Sequence, residues 1–187
     1  FRGPRRNSAH MDIYPQDRAM TVPVIQTRRL TLRPILMDDT AAITRGMVHW
    51  DVVQWLTAPP FPYAHDDAVH FVTEIVPSGS NWAIDAGDGL IGAIGVAPDL
   101  GYWLDVEYHG QHIMSEATQA IVAWYFENTS DDLLSGHHVG NGASRAVLQK
   151  LGFNDTHIDT DRQTATQEDV QVQRMILSRA NWDVRDA

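Results

Sequence analysis

The segment from Gly101 to Phe153 constrains the fold of this chain more than any other. It begins with an apolar stretch, passes through a turn that contains Gly110, and continues into a run with Ala117, Ile121 and Trp124 at helical spacing. A buried strand that leads through a glycine turn into an amphipathic helix creates an anion site, because the first N–H groups of the helix have no partner within it. The segment therefore predicts a binding site for a diphosphate group.

The length and composition predict one domain. The chain has 187 residues, enough to bury a sizeable core, and no linker rich in Pro, Gly or Ser divides it. We expect residues 11–187 to form a single domain. Residues 1–10 end in Ser-Ala-His directly before Met11, and we expect them to be a remnant of an expression tag. There is no cysteine, which excludes disulfides, thiolate metal sites and a cysteine nucleophile.

The charge of the chain bears on its partners. The formal net charge of −10 repels nucleic acid phosphates and attracts cations, so no nucleic acid partner is expected and an amine-bearing substrate fits, although acidity also serves solubility alone. No apolar run approaches the about 20 residues that cross a bilayer. We therefore expect a cytoplasmic protein with no membrane partner.

The periodicity changes along the chain from helical to extended and back. Apolar, extended patterns predict strands at 30–35, 81–86, 90–96, 100–104, 133–139, 154–159 and 170–177. Helical spacing and capping residues predict helices that begin near 41, span 49–56, open at 66–67, and span 114–127 and 143–151. Gly152 is expected to end the last of these helices in the left-handed conformation, with Phe153 as the apolar residue that follows it.

This order of elements resembles the GNAT acetyltransferases, and most closely their RimJ/RimL-like branch. The resemblance covers residues 26–182 and includes the opening strand Thr27–Pro34, the helix entry at Pro60–Tyr63 followed by Asp66–Ala68, and the ending Ser178–Trp182. It implies an α/β (α+β) GNAT fold: a mixed, mostly antiparallel central sheet of about seven strands with helices on both faces. It also implies that parallel strands near 100–106 and 133–139 splay apart.

The phosphate-binding turn of this family has the pattern Gln/Arg-x-x-Gly-x-Gly/Ala and falls here on His109–Met114. The main departure is His112, which replaces the middle glycine. Glycine at that position adopts a positive φ, and a side chain there costs about 1 to 2 kcal/mol, or about tenfold in affinity. Because histidine tolerates positive φ better than most residues and can donate to a phosphate, we expect a weakened or altered acetyl-CoA site.

The resemblance also implies roles for individual residues. Binding of acetyl-CoA is expected at Trp103, Leu104, Asp105, Val106, His109, Gly110, Gln111, His112, Ile113, Met114 and Asn141. Ser144 is expected to protonate the departing thiolate, and Asp99 or a water to accept the proton of the amine. Asn141 and Ser144 also suit the N-cap and third position of a helix, so both have an alternative structural role.

Several alternatives stay open around this site. Glu107 and His138 are further candidates for the base, and the N–H groups near Leu104 and Asp105 for polarising the carbonyl. Aromatic residues in the helical region that the family uses for the acceptor are candidates for lining its pocket: Trp50, Trp55, Phe61 and Tyr63. The spacing of Tyr102, Trp103 and Trp124 fits core and sheet packing instead.

We expect no metal site, although His109 and His112 are three residues apart and His137 and His138 are adjacent. Adjacent strand residues point to opposite faces, and no acidic or cysteine ligand stands beside them at metal-binding spacing.

The sequence thus predicts an enzyme that transfers acetyl from acetyl-CoA to a primary amine by direct attack in a ternary complex. The acceptor is a protein or peptide N-terminus or a small cationic amine, including a metabolite or antibiotic. The alternative is a GNAT-like domain that binds CoA for regulation and has lost turnover through His112 and Met114. The oligomeric state is open, with a homodimer as one option.

Overall fold

The structure is a computed structural model that describes residues 22–96 and 98–185; the predicted tag, residues 1–10, lies outside the described residues. Within these residues, eight strands form one sheet: β1 (Ile25–Gln26), β2 (Thr31–Pro34), β3 (Ser80–Asp85), β4 (Leu90–Val96), β5 (Leu100–Leu104), β6 (Leu133–His138), β7 (Asn154–Arg162) and β8 (Asp169–Leu177). The same part of the chain forms six α-helices: α1 (Thr40–Met47), α2 (Trp50–Val53), α3 (His65–His70), α4 (Ile113–Asn128), α5 (Gly142–Leu151) and α6 (Arg179–Arg185). None of these helices is long and apolar enough to cross a membrane.

The strand order in the sheet is β1-β2-β3-β4-β5-β6-β8-β7. Neighbouring strands run antiparallel, apart from the parallel pair β5 and β6. The predicted mixed, mostly antiparallel sheet is confirmed. Among the described residues the sheet has one strand more than the expected seven. The additional strand is β1, a two-residue strand that pairs with β2 through Ile25 and Gln26.

Helices cover both faces of the sheet, as predicted. On one face, Ile94 of β4 belongs to a buried cluster with Ile121 of α4. On the other face, Ala93 of β4 belongs to a second cluster with Ile43 of α1 and Ala68 of α3. Every residue of β4 is buried, and a strand covered on both sides reads as a continuous apolar run. This explains why the segment Leu90–Val96 carries no polar side chain.

The predicted helix over 49–56 is shorter than expected. α2 ends at Val53, and the chain then turns toward the loop that joins β7 and β8. The carbonyls of Gln54 and Leu56 both accept hydrogen bonds from Gln163 Nε2 at 3.0 Å. Tertiary hydrogen bonds therefore replace the last helical turn that the local pattern favours.

The end of α5 follows the sequence prediction. Gly152 has φ 92°, in the left-handed region, and the N–H of Phe153 donates to the carbonyl of Leu148 at 3.1 Å. This bond from the second residue after the cap is the Schellman pattern, and Phe153 is buried in the core beyond it.

Strands β5 and β6 touch at one point and then separate. Their register contains the pair Leu100 and Ser135, and Ser135 Oγ donates to the carbonyl of Leu100 at 2.8 Å. Beyond this pair, β5 continues to Leu104 and β6 to His138, leaving a gap between them. The predicted splay of the parallel strands is confirmed.

A partly buried ionic network joins β2 to the start of α1 and to the end of β3. The guanidinium of Arg33 donates two hydrogen bonds of 2.9 Å to the carboxylate of Asp39, which is 7% exposed, and one of 2.9 Å to Asp85. Asp39 in turn accepts from the N–H of Leu36 at 2.8 Å, and Asp85 from the N–H of Gly87 at 2.8 Å. One cation therefore holds together the start of α1 and the turn between β3 and β4.

Replacing Arg33 by Met should lower the free energy of unfolding by about 2 kcal/mol, because it leaves the buried Asp39 carboxylate without its charged donor. The control is Arg162→Met, whose ion pair with Asp169 joins side chains that are 60% and 65% exposed. That change should stay below about 0.5 kcal/mol. Urea unfolding of the three proteins measures both; equal losses would contradict a structural role for the network.

The stability difference between the protein and Arg33→Met should also depend on pH. Burial alone would raise the pKa of Asp85, but hydrogen bonds from Gly87 N–H and from Arg33 hold this pKa below its ordinary value. A carboxyl with a lowered folded pKa stabilises the fold above its unfolded pKa and loses that contribution as the pH falls through the folded value. The free energies of unfolding of the protein and of Arg33→Met should therefore become more similar once the pH drops below about 4.

Candidate active site

The turn before α4 has the geometry of an anion site. His112 is the N-cap residue of α4 and lies in the left-handed region, with φ 60° and ψ 16°, so the predicted positive φ at this position is confirmed with histidine in place. Its carbonyl accepts from the N–H of Glu116 at 3.2 Å, which starts the helix. The N–H groups of the first helical turn have no intrahelical acceptor and are left to a ligand.

This turn forms one end of a cleft of about 570 Å³. Gly110 has φ 74°, and a Cβ added to it would meet no atom within 4 Å, so the backbone here is open to a close approach. The residues of the turn that line the cleft are His109, Gly110, His112, Ile113, Met114 and Ser115. Gln111 does not line it: its side-chain amide donates to the carbonyl of Glu107 at 2.9 Å.

The cleft follows the free edge of β5 into the gap beside β6. The N–H of Asp105 donates to the carbonyl of Ile91 in β4 at 2.9 Å. Because peptide groups alternate between the two neighbours of a strand, those of Tyr102 and Leu104 are turned toward the gap. The expectation that Asp105 N–H polarises a carbonyl is therefore wrong, and Leu104 N–H is the group with the right direction.

Of the other residues expected at the donor site in and after β5, Trp103 lines the cleft, whereas Asp105 and Val106 do not line it. Val106 packs instead against the buried cluster on the α1 side of the sheet. His109 Nε2 lies 2.9 Å from the carbonyl of Leu104. The imidazole thus occupies the acceptor at the end of β5 and fixes the turn against the strand.

Arg29 braces the turn from the opposite side, a role that sequence reasoning missed. Its Nη1 donates to the carbonyl of Gln111 at 3.0 Å, and its Nε donates to Glu116 at 2.6 Å. Glu116 also accepts from the hydroxyl of Thr27 at 2.7 Å. Burial alone would raise the pKa of Glu116, but these hydrogen bonds from Thr27 and Arg29 hold it below its ordinary value. The carboxylate remains charged and keeps the arginine against the turn.

The far wall of the cleft is the start of α5. Asn141 caps this helix, since its Oδ1 accepts from the N–H of Ser144 at 3.0 Å. The hydroxyl of Ser144 lies 2.9 Å from the phenol oxygen of Tyr102 on β5. Burial raises the pKa of Tyr102 to about 12, against the effect of the Ser144 hydrogen bond. The phenol therefore keeps its proton at neutral pH and remains able to donate.

The contact between Tyr102 and Ser144 was not predicted, because the sequence places Tyr102 in a packing pattern. The alternation of β5 gives the direction of the side chain but not the identity of the helix that crosses the gap. The motif Asn-x-x-Ser predicted the cap and the position of the hydroxyl, but not its partner.

Three candidate bases occupy different places. Asp99 and His138 line the cleft, whereas Glu107 does not; its N–H donates to Asp105 Oδ1 at 3.3 Å. His138 Nε2 lies 3.0 Å from the hydroxyl of Thr57. Burial is the main cause that lowers the pKa of His138 below 6.5, so the ring is uncharged at neutral pH.

The neighbouring His137 presents an unused acceptor. Its Nδ1 lies 3.0 Å from the carbonyl of His138 and therefore donates, which leaves Nε2 as the basic nitrogen. Nε2 is buried and has no hydrogen-bond partner among the described residues, and the side chain lines the cleft. Within residues 22–96 and 98–185, no three His, Asp or Glu side chains converge into a metal-binding group.

The aromatic residues of the helical region divide into two groups. Trp55 lines the cleft, and Tyr63 lines a second cavity of about 650 Å³ between the helices α1 and α3 and the sheet. Trp50 and Phe61 contact each other edge to face at the surface, with ring centroids 5.1 Å apart, and line neither cavity.

Solved structures with the same fold are acetyltransferases. RimL, a ribosomal L7/L12 alpha-N-protein acetyltransferase in complex with coenzyme A, has a TM-score of 0.71 at 20% identity, over 84% of this chain and 97% of that one. MccE, a microcin C7 self-immunity acetyltransferase in complex with acetyl-CoA and AMP, has a TM-score of 0.73 at 13% identity, over 86% and 98%. The ribosomal-protein-S5-alanine acetyltransferase from Vibrio fischeri has a TM-score of 0.67 at 17% identity, over 81% and 95%.

These identities show a common fold, and no curated protein matches the chain. The family is shown by a match to the sequence model of the acetyltransferase (GNAT) domain, which covers residues 29–154, more than half of the chain. The matched segment contains the splayed strands, the positive-φ turn and the capped helix of the cleft. This chain therefore belongs to the GNAT family of acetyltransferases.

Proposed function

We propose that this enzyme transfers an acetyl group from acetyl-CoA to a primary amine by direct attack in a ternary complex. One observation carries the proposal: a single cleft contains the gap between β5 and β6, the turn before α4 and the start of α5 with Ser144. The gap suits a thioester arm, the turn suits its diphosphate, and the hydroxyl of Ser144 suits a proton donor.

The residues of the cleft fit this donor. The first N–H groups of α4 would hold the diphosphate, and the empty space around Gly110 would let it approach the backbone. The N–H and C=O of Tyr102 would pair with the amides of the arm as another strand does. Asn141 offers the side-chain N–H groups that its cap does not use, and His137 Nε2 offers an acceptor for an amide N–H.

The reaction forms a bond between nitrogen and the acetyl carbon and breaks the bond from that carbon to sulfur. The amine loses a proton, which Asp99 or a water accepts, and the sulfur gains one from Ser144. Leu104 N–H would stabilise the negative charge that develops on the carbonyl oxygen. Tyr102, which remains protonated, would donate to Ser144 as the serine gives up its proton.

A domain that binds CoA without turnover is the competing function. Measuring thiol release with acetyl-CoA and a panel of N-terminal peptides, polyamines and aminoglycosides separates the two. Release with any amine supports the transferase. Binding of CoA without release on the whole panel would favour the regulatory alternative.

Ser144→Ala should lower kcat by about 100-fold, the usual contribution of a general acid, and leave the KM for acetyl-CoA within about twofold. Tyr102→Phe should lower kcat by about tenfold, because the phenol acts through the serine and a single hydrogen bond is lost. Steady-state thiol release measures both. A larger loss in Tyr102→Phe than in Ser144→Ala would reverse these roles and make the tyrosine the acid.

The affinity of His112→Gly for acetyl-CoA should lie within about tenfold of that of the unchanged protein, because the turn already has the positive φ that the glycine of the family pattern supplies. His112→Val is the matched contrast: a β-branched residue resists this conformation and should weaken binding by more than about tenfold. Calorimetry gives the three dissociation constants. Failure of both the protein and His112→Gly to bind would refute the donor site.

The acceptor, and not His138, should determine the pH profile above pH 7. Because the pKa of His138 lies below 6.5, its charge does not change in that range. With a peptide of α-amino pKa about 8, kcat/KM should rise about tenfold per pH unit below that value and then level off. His138→Gln should give the same profile between pH 7 and 10. An inflection that vanishes in this variant would instead identify the histidine as the base.

A further inference from the structure

The second cavity lies on the α1 and α3 side of the sheet and has mainly apolar walls. Large hydrophobic and aromatic residues predominate in the lining, among them Ile43, Met47, Tyr63, Phe71, Ile75 and Trp103. With about 650 Å³, it exceeds the space that a single side chain would fill. Such a cavity favours a ligand that carries a sizeable apolar group.

This cavity meets the donor cleft at the free edge of β5. Both are lined by Asp99, Gly101, Tyr102 and Trp103. A molecule in the second cavity can therefore present one end at the gap where Ser144 and Leu104 N–H lie. The other end remains among the apolar walls.

The acidic side chains of the cavity favour a cation. Asp99 lies at the junction and Asp67 lines the cavity away from it; the lining also includes His70 but no Lys or Arg among the described residues. Burial, and in second place the charge of the Asp67 carboxylate, raise the pKa of Tyr63 in this cavity to about 12. An ammonium group is attracted to Asp99, whereas a second ammonium that ends among the hydrophobic side chains, away from Asp67, would lose its hydration without a charged partner.

We infer that the second cavity is the acceptor site and that it selects primary amines carried on a bulky apolar group. The inference rests on the proposed acetyl transfer and names its substrate class. Two sources share this chemistry: free alkyl- or aralkylamines, and polypeptides whose first residue has a large apolar side chain. Polyamines and aminoglycosides lack the apolar group.

One wall of the second cavity depends on a glycine in α1. A Cβ added to Gly46 would lie 2.5 Å from Cζ3 and 3.0 Å from Cη2 of Trp103. The missing side chain therefore lets the indole lie against α1, where it forms one side of the cavity. Any side chain at position 46 must displace the indole and change the space left for the acceptor.

A series of linear amines from propylamine to hexylamine tests the selectivity in thiol release with saturating acetyl-CoA. Burial of the chain should raise kcat/KM about fourfold for each added methylene. The matched contrast is 1,6-diaminohexane, which has the chain of hexylamine and a second charge. It should be at least about tenfold poorer, because that charge would be desolvated.

The outcomes separate the inference from the function on which it rests. Release that rises along the series supports both. Release that is flat along the series, or that is best with the diamine or spermidine, overturns the apolar selectivity and leaves acetyl transfer standing. No release with any amine overturns the proposed function, and the inference falls with it.

Two variants test the site itself. Gly46→Ala should lower kcat/KM for hexylamine by about tenfold or more and that for ethylamine by less than about twofold, because an altered apolar site discriminates by size. Ile75, which is 46% exposed at the cavity, allows a change that does not depend on the core. Ile75→Lys should have the same selective effect, and the control Ile75→Leu should not.

The KM for acetyl-CoA should stay unchanged in Ile75→Lys and Ile75→Leu, which also shows that both are folded. Equal losses for hexylamine and ethylamine in Ile75→Lys would place the acceptor elsewhere and overturn the inference. Tetrapeptides that begin with Phe or Leu, compared with Ser-initiated ones and with 2-phenylethylamine, separate the two sources. A preference for Ser-initiated peptides over all apolar amines would also overturn it.

Discussion

The parting of two parallel strands is the constraint on which the rest of this structure depends. A single register pair, reinforced by the hydrogen bond from Ser135 Oγ to the carbonyl of Leu100, holds β5 and β6 together at their beginning. Beyond it, each strand keeps its antiparallel partner, β4 on one side and β8 on the other, so the sheet stays intact while its middle opens. Two consequences follow from this arrangement. The peptide groups of Tyr102 and the N–H of Leu104 lose a strand partner and become available to a ligand, and the helices that follow β5 and β6 begin beside the gap.

The donor that we propose for this enzyme is highly anionic, whereas the protein itself carries a net negative charge. With a formal net charge of −10, long-range electrostatics oppose the approach of a diphosphate. The opposing local effect comes from backbone N–H groups at the start of α4, a dipole that acts over short distances and needs no basic side chain. Arg29 supports this arrangement indirectly, since its guanidinium is held by Glu116 and by the carbonyl of Gln111. The positive φ of His112 completes it by orienting the turn.

Local sequence signals predicted the parts of the site that local geometry determines. The left-handed conformation of His112, the cap at Asn141 and the ending of α5 at Gly152 each follow from a few neighbouring residues. Features that depend on how distant segments meet were not predictable in this way. Asp105 N–H turns to β4 because of the strand register, and the hydrogen bond between Tyr102 and Ser144 requires α5 to cross the gap. The residues after Val53 leave their helical pattern for the same reason, since Gln163 draws their carbonyls into tertiary bonds.

Trp103 contributes to the walls of both cavities, and its indole packs in the space left by Gly46. A shared wall cannot move for one occupant without altering the other's surroundings. A donor and an acceptor bound at these two sites would therefore be energetically linked through one residue, and each would change the affinity of the other by the same factor. Such a linkage would make the binding of the two substrates cooperative, favourably or unfavourably, without any hinge or mobile lid.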